Sequence, residues 1–308
     1  MIYTITFNPA VDYILSVNQK TLRDVEVNRA DVEIFKAGGK GINVSVLLDI
    51  LGIPSIAVAV LGGFTGEFLK MELQKRENIE LLALAAEGNN RLNVKIFAND
   101  ETICVNGKGP SANDVTKEEL RLLIENNIKA DDWVLFCGAG ITNITDDYIV
   151  ELCSLIRARK AKVVIDREQL SFEFLKACRP YLIKPNFYEL KILFNKEKLS
   201  SNEIDACLRE LLSKNVTMVL LSLGAEGAIL ATKDSRYHLR HQPIKAVNLV
   251  GQGDVMLASF VAALSLGETL PEALKQAGAA ALAHTSTLEE LSLSFIEEYR
   301  DCCKVESY

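Results

Sequence analysis

The sequence predicts an α/β protein whose central sheet is mostly parallel and is covered by helices on both faces. From about residue 115 onward, short apolar runs rich in β-branched residues alternate with segments of helical periodicity. The runs are continuously apolar, as expected of strands that are buried on both faces. Because strands separated by helices pair in parallel, this alternation predicts a sheet built from βα units.

The individual elements can be assigned in chain order. Apolar runs typical of strands occur at 2–7, 56–61, 133–137, 162–165, 181–183 and 218–223. Helical patterns occur at 44–51, around 68–75, and at 117–128, 146–159, 170–178, 187–194, 202–214, 255–264, 271–285 and 292–302. Gly52 and Gly267 are expected to end two of these helices, because glycine readily adopts the left-handed conformation at a helix C-terminus.

Two β-rich stretches fit the parallel sheet poorly. They lie at about 11–34 and 92–106, and the second contains a hairpin signal at Asn99-Asp100. We expect both to form a small β-sheet lid over one edge of a single domain that spans residues 1–308. An exposed face of such a lid needs covering, which predicts a homodimer formed through the lid.

Composition and charge exclude several classes of protein. The chain has 308 residues, is 49% hydrophobic and carries a net charge of −7, without the Lys/Arg stripe that favours nucleic acid. No run approaches 18 apolar residues, so no membrane span is expected. Seven cysteines without C-x-x-C spacing predict buried thiols and a cytoplasmic location. His238 and His241 lack neighbouring cysteine or carboxylate ligands, which argues against a zinc site.

The stretch from Gly251 to Asp254, Gly-Gln-Gly-Asp, is the most informative part of the chain. Its glycines allow a tight turn that points backbone N–H groups at one spot, and the apolar run that follows predicts a buried helix. The N-terminus of a buried helix binds anions, phosphate above all. Asp254 would then accept a proton from a hydroxyl that attacks this phosphate. The alternative is that Asp254 only caps the helix.

Ligands of an open parallel sheet bind outside the carboxyl ends of its strands. Polar or glycine-rich segments follow the predicted strands at Asp12, Gly38–Asn43, Gly62-Gly63, Cys137-Gly138, Lys184–Asn186, Ser222–Gly227 and Gly251–Asp254. All of them can therefore converge on one crevice. A dinucleotide-binding dehydrogenase is excluded, because no G-x-G-x-x-G follows the first strand.

Several motifs occur in the order of one known family. They are Asn8-Pro9-Ala10-Val11-Asp12, Asn28-Arg29, Gly38-Gly39-Lys40-Gly41-Ile42-Asn43, Asn90-Arg91-Leu92-Asn93-Val94-Lys95-Ile96, Gly109-Pro110, Lys184-Pro185-Asn186 with Glu189, Ser222-Leu223-Gly224-Ala225-Glu226-Gly227, and Gly251–Asp254. The chain resembles the ribokinase-like (PfkB) carbohydrate kinases, and more narrowly their 1-phosphofructokinase and tagatose-6-phosphate kinase branch. The resemblance implies the ribokinase-like fold and ATP-dependent phosphorylation of a phosphorylated ketohexose.

The resemblance also implies roles for residues around the sugar. Asp254 would be the general base, and the N–H groups of Gly251, Gln252 and Gly253 would stabilise the transferring phosphoryl group. The substrate would be bound by Asp12, Arg29, Gly38, Gly39, Lys40, Asn43, Arg91 and Asn93. Arg29, Lys40 and Arg91 are the candidates for gripping the phosphate that the substrate already carries, although each could also be a solvated surface cation.

ATP and Mg²⁺ are the cofactors that the resemblance implies. The nucleotide would be bound by Lys184, Asn186, Ser222, Gly224 and Gly227. Asn186 and Glu189 would hold Mg²⁺, and the same pair has the spacing of a helix capping box. Both roles can hold at once. His284 either flanks the adenine or is structural.

Four departures from the family pattern bear on activity. Gln252 replaces an alanine, Cys104 replaces an acidic residue, and the segments 137–141 and 166–169 lack hydroxyl residues of the pattern. The leading hypothesis is conversion of fructose 1-phosphate to fructose 1,6-bisphosphate, and the nearest alternative is a tagatose-6-phosphate kinase. A hypothesis of another class is a sugar-phosphate or nucleotide-binding protein with weakened catalysis on the same fold.

Overall fold

A computed structural model gives the structure of the chain and describes residues 1–18, 22, 27–98, 102–248 and 250–308. The strands are β1 Ile2–Thr6, β2 Ala10–Ser16, β3 Val32–Gly38, β4 Ser55–Leu61, β5 Ile79–Ala85, β6 Arg91–Phe97, β7 Thr102–Asn106, β8 Trp133–Cys137, β9 Lys162–Asp166, β10 Leu182–Ile183, β11 Met218–Ser222, β12 Ala228–Thr232, β13 Arg236–His241 and β14 Cys303–Ser307. The helices are α1 Lys40–Ile50, α2 Gly63–Leu73, α3 Asp114–Asn127, α4 Asp146–Ala158, α5 Phe172–Cys178, α6 Phe187–Leu193, α7 Ser201–Ser213, α8 Gln252–Ser265, α9 Leu270–Ser286 and α10 Leu293–Glu298. Short 3₁₀ turns lie at Gly224–Glu226 and Arg300–Cys302.

The main sheet has ten strands in the order β14-β13-β12-β11-β10-β9-β8-β1-β4-β5. From β11 to β5 all neighbouring strands pair in parallel, which confirms the predicted α/β fold. Strands β12, β13 and β14 extend the sheet in antiparallel pairing. These three strands were not predicted from the sequence, and neither was the edge strand β5. Strand β13 has the polar residue His238 between Tyr237 and Leu239, as expected of a strand buried on one face only, and so carries no continuous apolar run. Strand β12 does carry one, since Ala228 to Ala231 are apolar and buried, but it is only five residues long.

Two predicted helices have the wrong boundaries. The helix expected around 68–75 begins at Gly63, the second glycine of the pair Gly62-Gly63, and Gly62 is its N-cap. The helix expected at 292–302 ends at Glu298, and its last part is a 3₁₀ turn that leads into β14. Helix ends are set by caps and tertiary contacts rather than by apolar periodicity, so the periodic pattern alone does not locate them.

Helices cover both faces of the main sheet. On one face α1, α8 and α9 bury side chains such as Leu48 and Phe260, and on the other α3 and α4 bury Ile124 and Leu152. Helix α8 is the most enclosed, since every residue from Asp254 to Ala263 is buried. Shifting such a helix would open cavities in a close-packed core, so its N-terminus has a fixed position.

The second sheet has the strand order β3-β2-β6-β7 and forms the small lid that the sequence predicts. Strands β2 and β6 are parallel, and the two outer pairs are antiparallel. The register places Asp12 beside Asn93 on β6, so both side chains lie on the same face of the lid. The hairpin signal at Asn99-Asp100 lies outside the described residues.

The cysteines and the helices can be compared with what the composition predicts. All seven cysteines are free thiols, and five of them are buried in the core. Over the described ranges, none of the helices combines the length and the apolarity that crossing a bilayer requires.

Candidate active site

One cleft, with a volume of about 670 Å³, lies between the lid and the carboxyl ends of the parallel strands. Most of the predicted site residues line it. They are Asp12, Gly39, Lys40, Asn43, Arg91, Asn93, Lys184, Asn186, Glu189, Ser222, Gly224, Gly227, Gly251, Gln252, Gly253 and Asp254. The structure thus brings together residues that are up to 242 positions apart in the chain, as expected if the strand ends share one crevice.

Gly38 and Arg29 are the two predicted site residues that do not line the cleft. Gly38 lies directly behind Asp12, and a Cβ atom at this position would be 2.9 Å from the Asp12 Cγ. Its role is therefore to let the carboxylate of Asp12 lie against the backbone. Arg29 is exposed, and the structure does not bring it to the cleft.

Asp254 is the third residue of α8 and is buried at the cleft surface. Its Oδ2 accepts a hydrogen bond of 2.7 Å from the Nδ2 of Asn43 on α1. The helix is capped by the backbone of Gly251 without a side-chain bond, so Asp254 does not serve as its cap. Because Asn43 occupies only Oδ2, the carboxylate can offer Oδ1 to a ligand.

The environment of Asp254 changes its acidity. Burial raises the pKa of the Asp254 carboxyl to about 7, and repulsion by Asp166 acts in the same direction. The hydrogen bond from Asn43 and the charges of Lys184 and Lys40 partly oppose this rise. A base whose pKa lies near neutrality can accept a proton and release it again at physiological pH.

The turn before α8 builds an anion site. Gly251 has a φ of 84°, a left-handed conformation that glycine adopts at no steric cost, and it starts the helix abruptly. The first N–H groups of a helix have no acceptor within the helix. Lys184 adds an ammonium group here, since a Cβ atom on Gly253 would lie 2.9 Å from its Nζ. A helix N-terminus beside a buried ammonium group favours a bound anion such as phosphate.

Lys40, Lys184 and two carboxylates form a charged cluster in the middle of the cleft. The Nζ of Lys40 is 3.3 Å from Asp166 Oδ1 and 4.0 Å from Glu189 Oε1, and the Nζ of Lys184 is 3.5 Å from Asp166 Oδ2. Burial alone would lower the pKa of Lys40, but the three carboxylates of Asp166, Glu189 and Asp254 outweigh it and raise that pKa. Burial raises the pKa of Glu189. Lys40 is thus ionised and compensates the buried carboxylates.

At the lid end of the cleft, the carboxylate of Asp12 is held by two donors. The Nδ2 of Asn93 and the Nζ of Lys95 each donate a hydrogen bond of 2.8 Å to it. The Oδ1 of Asn93 and the Nε of Arg91 are buried and have no hydrogen-bond partner within the described part of the chain. Burial lowers the pKa of the Arg91 guanidinium. Buried polar atoms are normally paired. A ligand bound here would therefore need a donor for Asn93 Oδ1 and an acceptor for Arg91 Nε.

At the opposite end, Asn186 and Glu189 form the predicted capping box of α6. Asn186 Oδ1 accepts from the N–H of Glu189, and Glu189 Oε2 accepts from the N–H of Asn186, both at 2.8 Å. Glu189 Oε1 is left facing Lys40. The described residues contain no group of three or more His, Cys, Asp or Glu side chains that could hold a metal ion. A metal here would therefore need ligands from the bound substrates.

The structure adds site residues that the sequence analysis did not select. Lys95 and Glu168 line the cleft, and Asp166 is buried in its charged cluster. Lys95 could have been found, because residues 91, 93 and 95 of one strand share a face. Among the departures from the family pattern, Gln252 and Glu168 line the cleft, whereas Cys137 is buried beneath it.

Comparison with known proteins agrees with this geometry. The chain matches the model of the pfkB family carbohydrate kinases over residues 6–292. It is 37% identical over 284 residues to D-tagatose-1-phosphate kinase of Bacillus licheniformis, with 91% of each chain covered. It is 34% identical over 277 residues to 1-phosphofructokinase of Bacillus subtilis, with 89% of each chain covered.

A solved structure supports the same fold. Phosphofructokinase-2 from Escherichia coli, in complex with fructose-6-phosphate, aligns with a TM-score of 0.88 and 23% identity, over 97% of this chain and 98% of that chain. At this identity the likeness concerns the fold alone, whereas the family match extends over nearly the whole sequence. The chain therefore belongs to the pfkB family of carbohydrate kinases, ribokinase-like phosphotransferases that act on a sugar hydroxyl, and to the branch that contains 1-phosphofructokinase and tagatose-6-phosphate kinase.

Proposed function

We propose that the protein transfers a phosphoryl group from ATP to a hydroxyl of a ketohexose 1-phosphate, with fructose 1-phosphate as the leading substrate and fructose 1,6-bisphosphate as the product. The observation that carries this proposal is the position of Asp254. It is a buried carboxylate at the N-terminus of a buried helix, between the unpaired polar atoms at the lid end and the nucleotide side. Two relatives named for ketohexose 1-phosphates support a substrate phosphate at C1.

The residues of the chain divide the work of phosphoryl transfer. Asp254 orients the sugar hydroxyl and accepts its proton as the new oxygen–phosphorus bond forms and the bond to ADP breaks. Asn43 holds Asp254 in place through Oδ2. The N-terminus of α8 and the ammonium of Lys184 stabilise the charge on the transferring group. Asp12 and Asn93 bind sugar hydroxyls, and Arg91 and Lys95 bind the phosphate that the substrate already carries.

A substrate panel tests the proposal. Release of ADP is measured with MgATP against fructose 1-phosphate, tagatose 1-phosphate, tagatose 6-phosphate, fructose 6-phosphate and unphosphorylated fructose. We expect the highest kcat/KM with a ketohexose 1-phosphate. Turnover of tagatose 6-phosphate alone would establish the alternative substrate. Binding of ATP or a sugar phosphate without any turnover would instead indicate a binding protein on a kinase fold.

We propose Mg²⁺ as the metal that accompanies ATP, held by Glu189 and Asn186, with Asp166 as a further carboxylate. The residues fit such an ion, because within the described chain Asp166 Oδ2 is buried and makes no hydrogen bond, only the 3.5 Å ion pair with Lys184. Glu189 Oε1 likewise has only the 4.0 Å ion pair with Lys40 among the described residues. Mg²⁺ typically takes one or two carboxylates, with waters and substrate phosphates as its other ligands. When bound, the ion neutralises charge on the phosphates of ATP.

Replacing Glu189 with Gln is expected to raise the Mg²⁺ concentration for half-maximal activity by about tenfold or more, because the side chain loses its charge. Gln at the same position keeps the capping box, so the melting temperature should stay close to that of the wild type. Glu203→Gln is the matched control, since Glu203 has the same capping position on α7 and does not line the cleft. Equal Mg²⁺ dependence of both variants would remove Glu189 from the metal site.

We further propose a homodimer formed through the lid. Ile34 and Val32 on β3 and Phe97 on β6 are exposed, and the register places them on the same lid face as Asp12. An exposed apolar face is typical of a protein interface, and in a twofold-symmetric dimer this face of one lid would pack against the same face of the other lid. We also propose a cytoplasmic location, because seven free thiols fit a reducing compartment.

Ile34→Asp is expected to convert the dimer to a monomer, because a charge at the centre of an apolar interface has no partner. Light scattering coupled to size-exclusion chromatography measures the mass directly. Val115→Asp on α3 is the control, since Val115 is also an exposed apolar residue but is not part of the lid sheet. A monomeric wild type, or a variant that stays dimeric, would overturn the lid interface.

A further inference from the structure

The segment that leads into α8 is fastened to the end of α9. The N–H groups of Val247 and Asn248 donate to the carbonyl oxygen of Thr285 at 2.8 and 3.0 Å. The Nε2 of His284 lies 2.8 Å from the carbonyl oxygen of Val250. A carbonyl oxygen only accepts, so Nε2 carries the hydrogen and donates it. The nearby Nδ2 of Asn248, at 3.2 Å, is also a donor and does not compete for this bond.

The bond from His284 determines the direction of the next N–H group. The peptide unit is planar and trans, so the carbonyl of Val250 and the N–H of Gly251 point in opposite directions. His284 holds the carbonyl from the side of α9 and does not line the cleft, whereas Gly251 does. The N–H of Gly251 therefore points away from His284 and toward the cleft.

Gly251 lies between His284 and the catalytic pair. A Cβ atom on Gly251 would be 3.6 Å from Nε2 of His284, 3.8 Å from Nδ2 of Asn43 and 4.0 Å from Oδ2 of Asp254. A tilt of the Val250–Gly251 peptide would thus move a donor that is adjacent to the general base. Donors that act on developing charge are effective only when they are held in place beforehand.

We propose that His284 is a positioning residue for phosphoryl transfer, which holds the Val250 carbonyl so that the Gly251 N–H is aimed at the transferring phosphoryl group. This inference rests on the proposed function. His284 is not among the residues that line the cleft, so its effect passes through the backbone of Val250 and Gly251. Loss of the imidazole leaves the donor present but loosely held.

His284→Leu and His284→Asn test the proposal, because neither side chain can donate to the Val250 carbonyl from the position of Nε2. We expect kcat to fall by at least about tenfold in both, with the KM values for ATP and sugar phosphate unchanged, since loss of an oxyanion donor typically costs about 10²–10³ in kcat. His284→Gln, whose amide can still donate, should recover most of the activity. His241→Leu removes an imidazole outside this segment and should leave kcat unchanged.

Binding of ADP with aluminium fluoride, a stand-in for the transferring phosphoryl group, gives a second readout. We expect both disruptive variants to bind this probe at least about tenfold more weakly while they bind ADP alone like the wild type. Wild-type kcat and probe affinity in either folded variant would overturn the proposal, as would equal loss in the Gln variant. If the wild type turns over no sugar in the substrate panel, the proposed function fails first, and this inference fails with it.

Discussion

Replacing Asp254 with Asn is expected to lower kcat by about 10³-fold and to leave the KM values for both substrates within about threefold. The amide has the shape of the carboxylate and can still accept the hydrogen bond from Asn43, but it cannot accept a proton. Steady-state kinetics with the substrate that the panel identifies measures both constants. Asp114→Asn is the control, because Asp114 also lies in the first turn of a helix but is exposed and outside the cleft.

The raised pKa of Asp254 adds a dependence on pH. The carboxyl with a pKa of about 7 is protonated below neutrality, so kcat/KM should fall as the pH drops through about 7. A flat profile between pH 5.5 and 8 would contradict its role as base, as would an Asn variant that retains more than about a tenth of the wild-type kcat.

The same burial means that the ionised carboxylate of Asp254 lowers the free energy of unfolding. Because the folded state raises its pKa above the ordinary value of 3.8, the stability that Asp254 contributes falls as the pH rises from about 4 to about 7. The Asn variant should therefore melt at least about 2 °C higher than the wild type at pH 8, and the difference should shrink at pH 5. Differential scanning calorimetry at the two pH values measures this difference. A more stable but inactive variant is typical of a group kept for function.

Replacing Arg91 with Met is expected to lower kcat/KM for the sugar phosphate by about 100-fold, mainly through KM. The guanidinium is partly buried with an unpaired Nε, so the substrate phosphate supplies the acceptor that the protein lacks. The loss of kcat/KM should be small with unphosphorylated fructose, because that sugar has no phosphate for Arg91 to bind. Comparing the two sugars therefore separates phosphate binding from damage to the fold.

Arg209→Met serves as the control for Arg91, because Arg209 is an exposed cation on α7. Arg91→Lys should give an intermediate loss, since a lysine supplies charge without the fork of a guanidinium. An equal loss for phosphorylated and unphosphorylated sugar would contradict a role in phosphate binding. The kcat/KM of Arg29→Met for the same two sugars decides whether that exposed arginine also binds the substrate phosphate.

Much of the fold follows from local patterns in the sequence. The apolar runs of strands such as Trp133–Cys137 and Met218–Ser222 predict the parallel half of the sheet, because strands buried on both faces need apolar residues at every position. The antiparallel strands β13 and β14 lack this signature. Their pairing depends on hairpin and C-terminal contacts that a window of sequence does not contain.

The location of the cleft was predictable, because the segments that follow parallel strands converge at one edge of the sheet. Gly251 and Asp254 stand out in the sequence, because a glycine turn before a buried helix is typical of an anion site. The cluster of Lys40, Asp166 and Lys184 was not predictable, since Lys40 and Asp166 are 126 positions apart and their pairing arises only from the order of strands in the sheet. The bond between His284 and Val250 was not predictable either, because it depends on how α9 packs beside the turn before α8.

The most direct test of the central claim is ³¹P NMR of the products formed from fructose 1-phosphate and MgATP. Phosphoryl transfer from ATP with Asp254 as the base predicts a second phosphomonoester signal on the sugar that grows in step with ADP, and that grows about 10³-fold more slowly with Asp254→Asn. ADP accompanied only by inorganic phosphate, or a second sugar phosphate formed equally fast by the Asn variant, would contradict it.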